Sequence, residues 1–446
     1  MTTRTTSTAA ARQRALVLLP LHTARVSSDT AARDPALRLE EAAGLAEALD
    51  LDVLAAETFP MRRFDPGLYL GRGRAEALKV RAESEGIDVI IIDAALTPVQ
   101  QRNLERETLA KVIDRTGLIL EIFGRRARSR EGKLQVELAR LGYERSRLVR
   151  TWTHLERQRG GLSKTGGPGE TQIELDRRQI AQRIDKLKLE LEDVRRTRAL
   201  QRRARRRAGY PAVVLVGYTN AGKSSLFNRL TDAGVLAKDM PFATLDPTAR
   251  LVRLPSGRSV MMSDTVGFIT DLPTELVASF RATLEEVIAA DVLVHVRDIA
   301  HPETDAQRDD VTDVLTQLSE RSDAPAPRMI EAWNKIDLLT PEQLAARLTR
   351  APAEAHAVAI SAQTGDGVAA LLEAIDRVAF GSMRLVTLHM DPADGAGVAE
   401  LAARGKVLEQ SLGEDGLLQI TVELPAAYAA AYEENADAVR GSLAAE

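Results

Sequence analysis

The stretch Ala212–Leu230, AVVLVGYTNAGKSSLFNRL, constrains this chain more than any other. An apolar strand runs into Gly217, a glycine loop closes on Gly222-Lys223-Ser224, and an amphipathic helix follows. Strand, phosphate loop and helix in that order predict a nucleotide-binding α/β domain. The loop is Gly217, Tyr218, Thr219, Asn220, Ala221, Gly222, Lys223 and Ser224. Its glycines let backbone N–H groups wrap phosphates, helped by the positive start of the helix. Lys223 is expected to reach the β- and γ-phosphates, and Ser224 to ligate Mg²⁺.

Further motifs follow in the order such a site requires. MMSDTVGF (Met261–Phe268) supplies Asp264, Thr265, Val266 and Gly267. Asp264 is expected to hold the metal through water, and the Gly267 N–H to sense the γ-phosphate. IEAWNKID ends a strand in Asn334, Lys335, Ile336 and Asp337. The Asp337 carboxylate can accept both the ring N–H and the amino group of guanine; adenine would leave it unsatisfied. Ser361 and Ala362, followed by Gln363, are expected to present backbone to the guanine carbonyl. The ligand read from these residues is GTP or GDP.

Between the phosphate loop and Asp264 lies PFATLDPTAR, with Phe242, Ala243, Thr244, Leu245 and Asp246. A threonine here must close over Mg²⁺ and the γ-phosphate. Thr244 and Thr248 both fit on chemistry alone. Lys223, that threonine and Gly267 carry the catalytic expectation. Many GTPases have Gln directly after Asp-x-x-Gly to orient the attacking water, and this chain has Phe268. Slow intrinsic hydrolysis is expected, because positioning is most of the catalysis. Asn220 either binds K⁺ or stabilises its own loop.

The remaining chain divides by pattern. A length of 446 residues suggests two to four domains, and 44% apolar residues exclude disorder throughout. The absence of cysteine excludes disulfides, thiolate metal sites and thiol catalysis. No apolar run reaches the length of a membrane span, and RALVLLPL near the start reads as a buried strand instead of a signal peptide. A cytoplasmic protein is expected, with peripheral membrane association left open.

Residues 1–124 alternate strands (RALVLLPL, LDVLAAETF, GIDVIIIDA, KVIDRTGLI) with helical stretches, predicting a small parallel α/β domain. Residues 125–208 hold about 25 Lys and Arg against about 11 Asp and Glu, although the whole chain carries −4. Leu134, Leu138, Leu141, Leu148, Trp152 and Leu155 recur at threes and fours. Ile173, Ile180, Ile184, Leu187, Leu191 and Val194 repeat the pattern. These seams predict an antiparallel coiled hairpin with cations outside and a glycine-rich tip at 160–170. Such a basic block points to a polyanion. Residues 209–380 form the P-loop G domain. Residues 381–446 read as a small α+β domain, with GVAELAARGKVLEQ as its helix.

VIDRTGLILEIFGRRARSREGKLQVELARLGYERSRL, HLERQRGG, GGPGETQIELDRR, GYTNAGKSSLFN, FATLDPT and DTVGF together resemble the HflX family of translational GTPases, across about residues 65–380. The resemblance implies a GTPase that binds the 50S ribosomal subunit and splits stalled 70S ribosomes, with large-subunit binding accelerating hydrolysis. It implies that the hairpin tip approaches 23S rRNA at the peptidyl-transferase centre, that the protein acts as a monomer there, and that DNA is not a partner. By the same match Thr244 takes the metal role over Thr248, beside Ser224. GGLSKTGGPGETQ lacks Gly-Lys-Ser/Thr and follows no strand, so its glycines, Pro168 and Lys164 suit folded RNA better than a nucleotide. Relatives often carry a basic residue at Gly166, so the tip contact is expected to differ here. Some relatives also bind or hydrolyse ATP, which makes weak ATPase activity a further expectation; GRGRAE (Gly71–Glu76) reads as a loop opening a helix. Two other functions fit the same residues: a GTPase that checks rRNA during large-subunit assembly, and a nucleotide-gated protein-binding scaffold.

Overall fold

A computed structural model describes residues 12–22, 33–152, 168–207, 210–231, 241–242, 248–270, 286–320, 327–349, 357–381, 383–413, 416–425 and 429. The chain forms two compact units. One comprises Met1–Arg195, Lys238–Asp246 and Asp271–Arg281; the other comprises Arg196–Ala237, Pro247–Thr270 and Ala282–Glu446.

The first unit opens with β1 (Arg14–His22), α1 (Pro35–Glu47), β2 (Asp52–Met61), α2 (Arg72–Glu85), β3 (Val89–Ile92), α3 (Pro98–Thr108), β4 (Lys111–Asp114) and α4 (Arg115–Arg126). The strands form a parallel sheet in the order β2-β1-β3-β4. Leu16, Leu18, Ile90, Ile92 and Val112 bury one side of it together with Ala82 and Leu104 from the helices. Helix starts follow the sequence. Thr97 and Gln100 make a reciprocal capping box, with Pro98 in the first turn of α3. The GRGRAE stretch does open a helix, α2, after Gly71 at φ 83°.

One strand is shorter than its sequence suggests. KVIDRTGLI is strand only through Asp114, whose side chain accepts the Gly117 N–H and caps α4. The apolar residues after it are one face of a helix, with Leu118, Ile119, Ile122 and Phe123 buried.

The basic region then forms α5 (Arg130–Trp152) and α6 (Pro168–Arg207). Leu134, Leu187 and Leu191 are buried together, with Leu138, Leu141 and Val194 packed on them. Arg183 pairs with Glu137 at 2.7 Å and Arg130 with Glu190 at 3.8 Å. These pairs run in opposite sense along the two helices, so the hairpin is antiparallel. At 1.5 Å per residue, α6 extends about 60 Å. Most of the tip, residues 153–167, lies outside the described residues, as do the side chains of Leu148, Trp152 and Ile173.

A buried polar knot fixes the C-terminal half of α5. The Asp114 carboxylate accepts from Tyr143 Oη at 2.6 Å, from Arg147 Nη2 at 2.7 Å and from the Leu96 N–H at 3.2 Å. Burial, and then the Asp114 charge, push the Tyr143 phenol above its ordinary range. Beside it Arg115 pairs with Asp93 at 2.5 Å and Glu41 at 2.6 Å. Burial alone would lower the Arg115 pKa, and the two carboxylates reverse that and raise it.

The second unit contains β5 (Ala212–Val216), α7 (Lys223–Thr231), β6 (Thr248–Arg253), β7 (Ser259–Asp264), β8 (Val292–Asp298), α8 (Thr304–Ser319), β9 (Arg328–Asn334), α9 (Pro341–Thr349), β10 (Ala357–Ala359) and α10 (Val368–Phe380). Its sheet runs β10-β9-β8-β5-β7-β6, parallel except for β6. Val213, Leu215, Val294, Val296 and Ile330 pack on Leu226 and Phe227 of α7 and on Leu371 and Ile375 of α10. This brings the carboxyl ends of β5, β7, β8 and β9 to one edge, where open α/β sheets bind ligands.

A three-stranded antiparallel sheet follows, from β11 (Met383–Met390), β12 (Lys406–Leu412) and β13 (Leu418–Pro425), with α11 (Gly395–Arg404) on its apolar face. The expected long helix therefore ends early, and Lys406-Val407-Leu408 is strand. Gly405 causes the change: a Cβ there would stand 2.5 Å from the Glu423 carbonyl oxygen, so only glycine lets the chain leave α11 against β13.

Candidate nucleotide site

The strand-ending loop after β5 is folded as a phosphate cradle. Gly222 has φ 92°, and an added Cβ would collide with the Asn334 amide. Asn220 is left-handed at φ 59°, a conformation Asn tolerates. Lys223 opens α7 with its side chain buried and donates to the Tyr218 carbonyl at 2.6 Å. Burial drives its pKa down to about 8, against the pull of Asp264 in the other direction. A cation held at that cost in an uncharged loop is poised for an anion.

Ser224 Oγ donates to Asp264 Oδ2 at 2.7 Å. A hydroxyl and a carboxylate converging at the foot of a phosphate loop are oxygen donors suited to a hard divalent cation, which fits Mg²⁺. Asp264 ends β7, and Thr248 at the start of β6 stands opposite it in register. The Thr248 hydroxyl is buried without a hydrogen-bond partner among the described residues. Ala243, Thr244, Leu245 and Asp246 lie outside the described residues. Phe242 belongs to the first unit, buried at φ 55° with its ring edge-on to Phe123 at 4.6 Å. Its ring is taken up by that packing.

Downstream of Asp264 the chain is zipped to the cradle. The Thr219 N–H donates to Phe268 O at 2.7 Å, and the Phe268 N–H donates to Gly217 O at 3.1 Å. Tyr218 Oη is 2.5 Å from Thr270 Oγ1 and accepts the Thr270 N–H at 2.9 Å. Gly267 is squeezed between them, and a Cβ there would lie 3.0 Å from Lys223 Nζ and from Thr219 Cα. Thr265 donates to the Leu215 carbonyl at 2.6 Å, and Val266 is half-buried. The phenyl group of Phe268 is buried, so it holds its segment by packing and offers nothing to a water.

At the far end Asn334 ties two loops together. Its Nδ2 donates to Ala221 O at 2.8 Å, and its Oδ1 accepts the Ala362 N–H at 2.8 Å. Lys335 is left-handed at φ 65° and pairs with Asp298 at 2.8 Å. The Ile336 N–H donates to Ile360 O at 3.3 Å. Asp337 is exposed, and its carboxylate has no partner among the described residues. Ser361 is fully buried, its hydroxyl accepting the Thr364 N–H at 3.0 Å. Sequence reasoning missed two participants: Asp298, which fixes Lys335, and Arg229 on α7, which grips the loop at Ala362 and Gln363. Neither sits in a motif, and each acts through another group.

A phosphate cradle with a buried lysine, a serine–aspartate oxygen pair and a base-reading strand end define a P-loop GTPase. The chain matches three families, described as GTP-binding GTPase N-terminal over residues 36–124, GTP-binding GTPase middle region over 126–205, and 50S ribosome-binding GTPase over 212–335. It is 50% identical over 395 residues to GTPase HflX of Magnetococcus marinus, covering 88% of this chain and 90% of that one. With GTPase HflX of Escherichia coli it is 41% identical over 388 residues, 87% and 89% of the two chains. The chain belongs to the HflX GTPase family. It is also similar to a GTP-binding protein from the archaeon Sulfolobus solfataricus in complex with GDP, at 25% identity and a TM-score of 0.43, covering 82% of this chain and 98% of that one. Among the described residues no helix is long and apolar enough to cross a membrane.

Proposed function

We propose that this GTPase uses GTP to engage the 50S subunit, splits stalled 70S ribosomes, and leaves after hydrolysis. The observation that carries the reading is the pairing of a ready phosphate site with a basic hairpin whose first helix is clamped in its C-terminal half by Asp114. An arm transmits force only if it is held rigidly to its domain, and a buried carboxylate holding Tyr143 and Arg147 ties α5 to the first sheet. Cations along α5 and α6 favour 23S rRNA as the surface it meets, with the 160–170 tip nearest the peptidyl-transferase centre.

In the nucleotide site Lys223 stands ready for the β- and γ-phosphates, and the cradle amides orient them. The Gly267 N–H reports the γ-phosphate, and Thr244 closes from the preceding loop. Ser224 and Thr244, with Asp264 beside them, would hold Mg²⁺, which when bound would supply charge neutralisation of the phosphate oxygens. Phe268 cannot orient the attacking water, so isolated turnover is slow and the ribosome completes the site. Asn220 is the residue through which K⁺ would act. The four divisions 1–124, 125–208, 209–380 and 381–446 act as base, prong, motor and accessory domain. The protein works as a cytoplasmic monomer.

Co-sedimentation with purified 50S subunits tests the reading. Binding should be strong with a non-hydrolysable GTP analogue, weaken steeply with salt, and be lost on deletion of residues 160–170. Salt-insensitive binding that survives the deletion would favour a protein-binding scaffold.

A further inference from the structure

We infer that Tyr218 is a positioning residue for GTP hydrolysis: its hydroxyl, fastened to Thr270, keeps the Gly267 N–H where the γ-phosphate comes to lie. This rests on the reading above that Gly267 senses that phosphate. The Gly267 N–H has no acceptor among the described residues, so the donor is available to a ligand. Because Phe268 stands where a water-orienting side chain would be, placement of the reacting groups falls to the backbone. Something must then set that backbone.

Tyr218 does so from inside the phosphate loop, where one residue holds both γ-phosphate partners. Its carbonyl accepts from Lys223 Nζ at 2.6 Å. Its side chain reaches across to Thr270, just beyond Gly267, where Oη accepts the Thr270 N–H at 2.9 Å and meets Thr270 Oγ1 at 2.5 Å. The direction of that second bond follows from its neighbour. Thr270 Oγ1 donates to Asp310 Oδ2 on α8 at 3.4 Å, since a carboxylate can only accept. The proton between the two hydroxyls therefore belongs to Tyr218. Three directed bonds thus join the phosphate loop, the segment after Asp264 and α8. Tyr218, Phe268, Ile269 and Thr270 are all buried, so water competes little for these bonds. Gly267 is held between this anchor and the cradle, with so little space that an added Cβ would lie 3.0 Å from Lys223 Nζ. Phenylalanine at 218 would fill the same volume and lose the anchor, so the hydroxyl sets the spacing between Lys223 and Gly267.

The test measures binding of GDP and of a non-hydrolysable GTP analogue, and single-turnover GTP hydrolysis, on the full-length wild type, Y218F, T270V and T270S. Thermal unfolding checks that each variant folds. Y218F should leave GDP affinity within about twofold and weaken the analogue about tenfold, the size expected when a buried hydrogen bond loses one partner. Hydrolysis should slow by a similar factor. T270V should shift the analogue in the same direction by less, because the Thr270 N–H still reaches Tyr218, and T270S, which keeps the hydroxyl, should match the wild type. Equal loss for GDP and analogue would make the hydroxyl a packing group only and overturn the assignment. Tighter analogue binding in Y218F, or wild-type behaviour in both Y218F and T270V, would overturn it too. G267A separates this inference from the reading beneath it: a GDP-to-analogue affinity ratio unchanged from the wild type would remove Gly267 from the γ-phosphate, whatever Y218F does.

Discussion

A parallel and a mostly parallel α/β sheet in this chain end strands in acidic residues, and the two sheets use those residues in opposite ways. In the first, Asp93 and Asp114 at the ends of β3 and β4 are saturated by Arg115, Arg147 and Tyr143 from the chain itself. In the second, Asp264 at the end of β7 faces the Ser224 hydroxyl and the buried Lys223, and Asp337 just beyond β9 stays open. Parallel strands thus give a sealed edge that grips α5 and an open edge suited to a ligand. Strand-end carboxylates mark a site only where the protein's own cations leave them available.

The comparison can be broken most forcefully at Asp337. D337N should cost roughly 10⁴-fold in GDP affinity, because a site built to accept two guanine N–H groups would meet them with an amide. Equilibrium binding of a fluorescent GDP measures it, and a change under tenfold would remove Asp337 from the site. On the sealed edge, R115M should remove the buried cation that Asp93 and Glu41 share and lower stability by about 3–5 kcal/mol, read by urea denaturation. K223A offers the contrast between the edges: GDP binding should be lost while the fold keeps or gains stability, because the buried ammonium is desolvated at a cost in the apo protein.

A smaller effect is a pH dependence. The folded-state pKa of Lys223 is lowered to about 8, so above that pH the free protein holds fewer protons here than the unfolded chain. Stability contributed by this group therefore rises from about pH 8 toward the ordinary lysine range and is flat below it. Nucleotide binding needs the ammonium, so the dependence of affinity runs the other way. GDP affinity should fall roughly tenfold between about pH 8 and 9.5, as titration calorimetry would read. The smallest effect concerns Asn220: hydrolysis faster in K⁺ than in Na⁺ would give it a role in cation binding, and equal rates would leave it as a loop residue.

Much of this arrangement is legible from sequence because it is local. Period-two and period-four patterns expose the strands and the hairpin seam, and the phosphate and base motifs need fixed residue types at fixed spacing. What escapes is set by tertiary neighbours. Asp114 reads as a strand residue, yet it also caps α4 and anchors α5, so the run after it looks like more strand. Gly405 reads as a helix residue until the Glu423 carbonyl is seen beside it. The burial of the Phe242 ring on Phe123 is likewise a contact between segments far apart in the chain. Arg229 and Asp298 act on a backbone carbonyl and on a motif lysine, contacts that leave no periodic signature.

Nucleotide state is expected to control ribosome engagement by the hairpin. Sedimentation of 70S ribosomes with the purified protein in GTP, in GDP and in a non-hydrolysable analogue measures this directly. Free 50S and 30S subunits should accumulate with GTP and the analogue, the protein staying on 50S in the analogue and leaving it in GDP. Intact 70S particles with no bound protein in all three states would contradict the account, even if GTP were bound and hydrolysed.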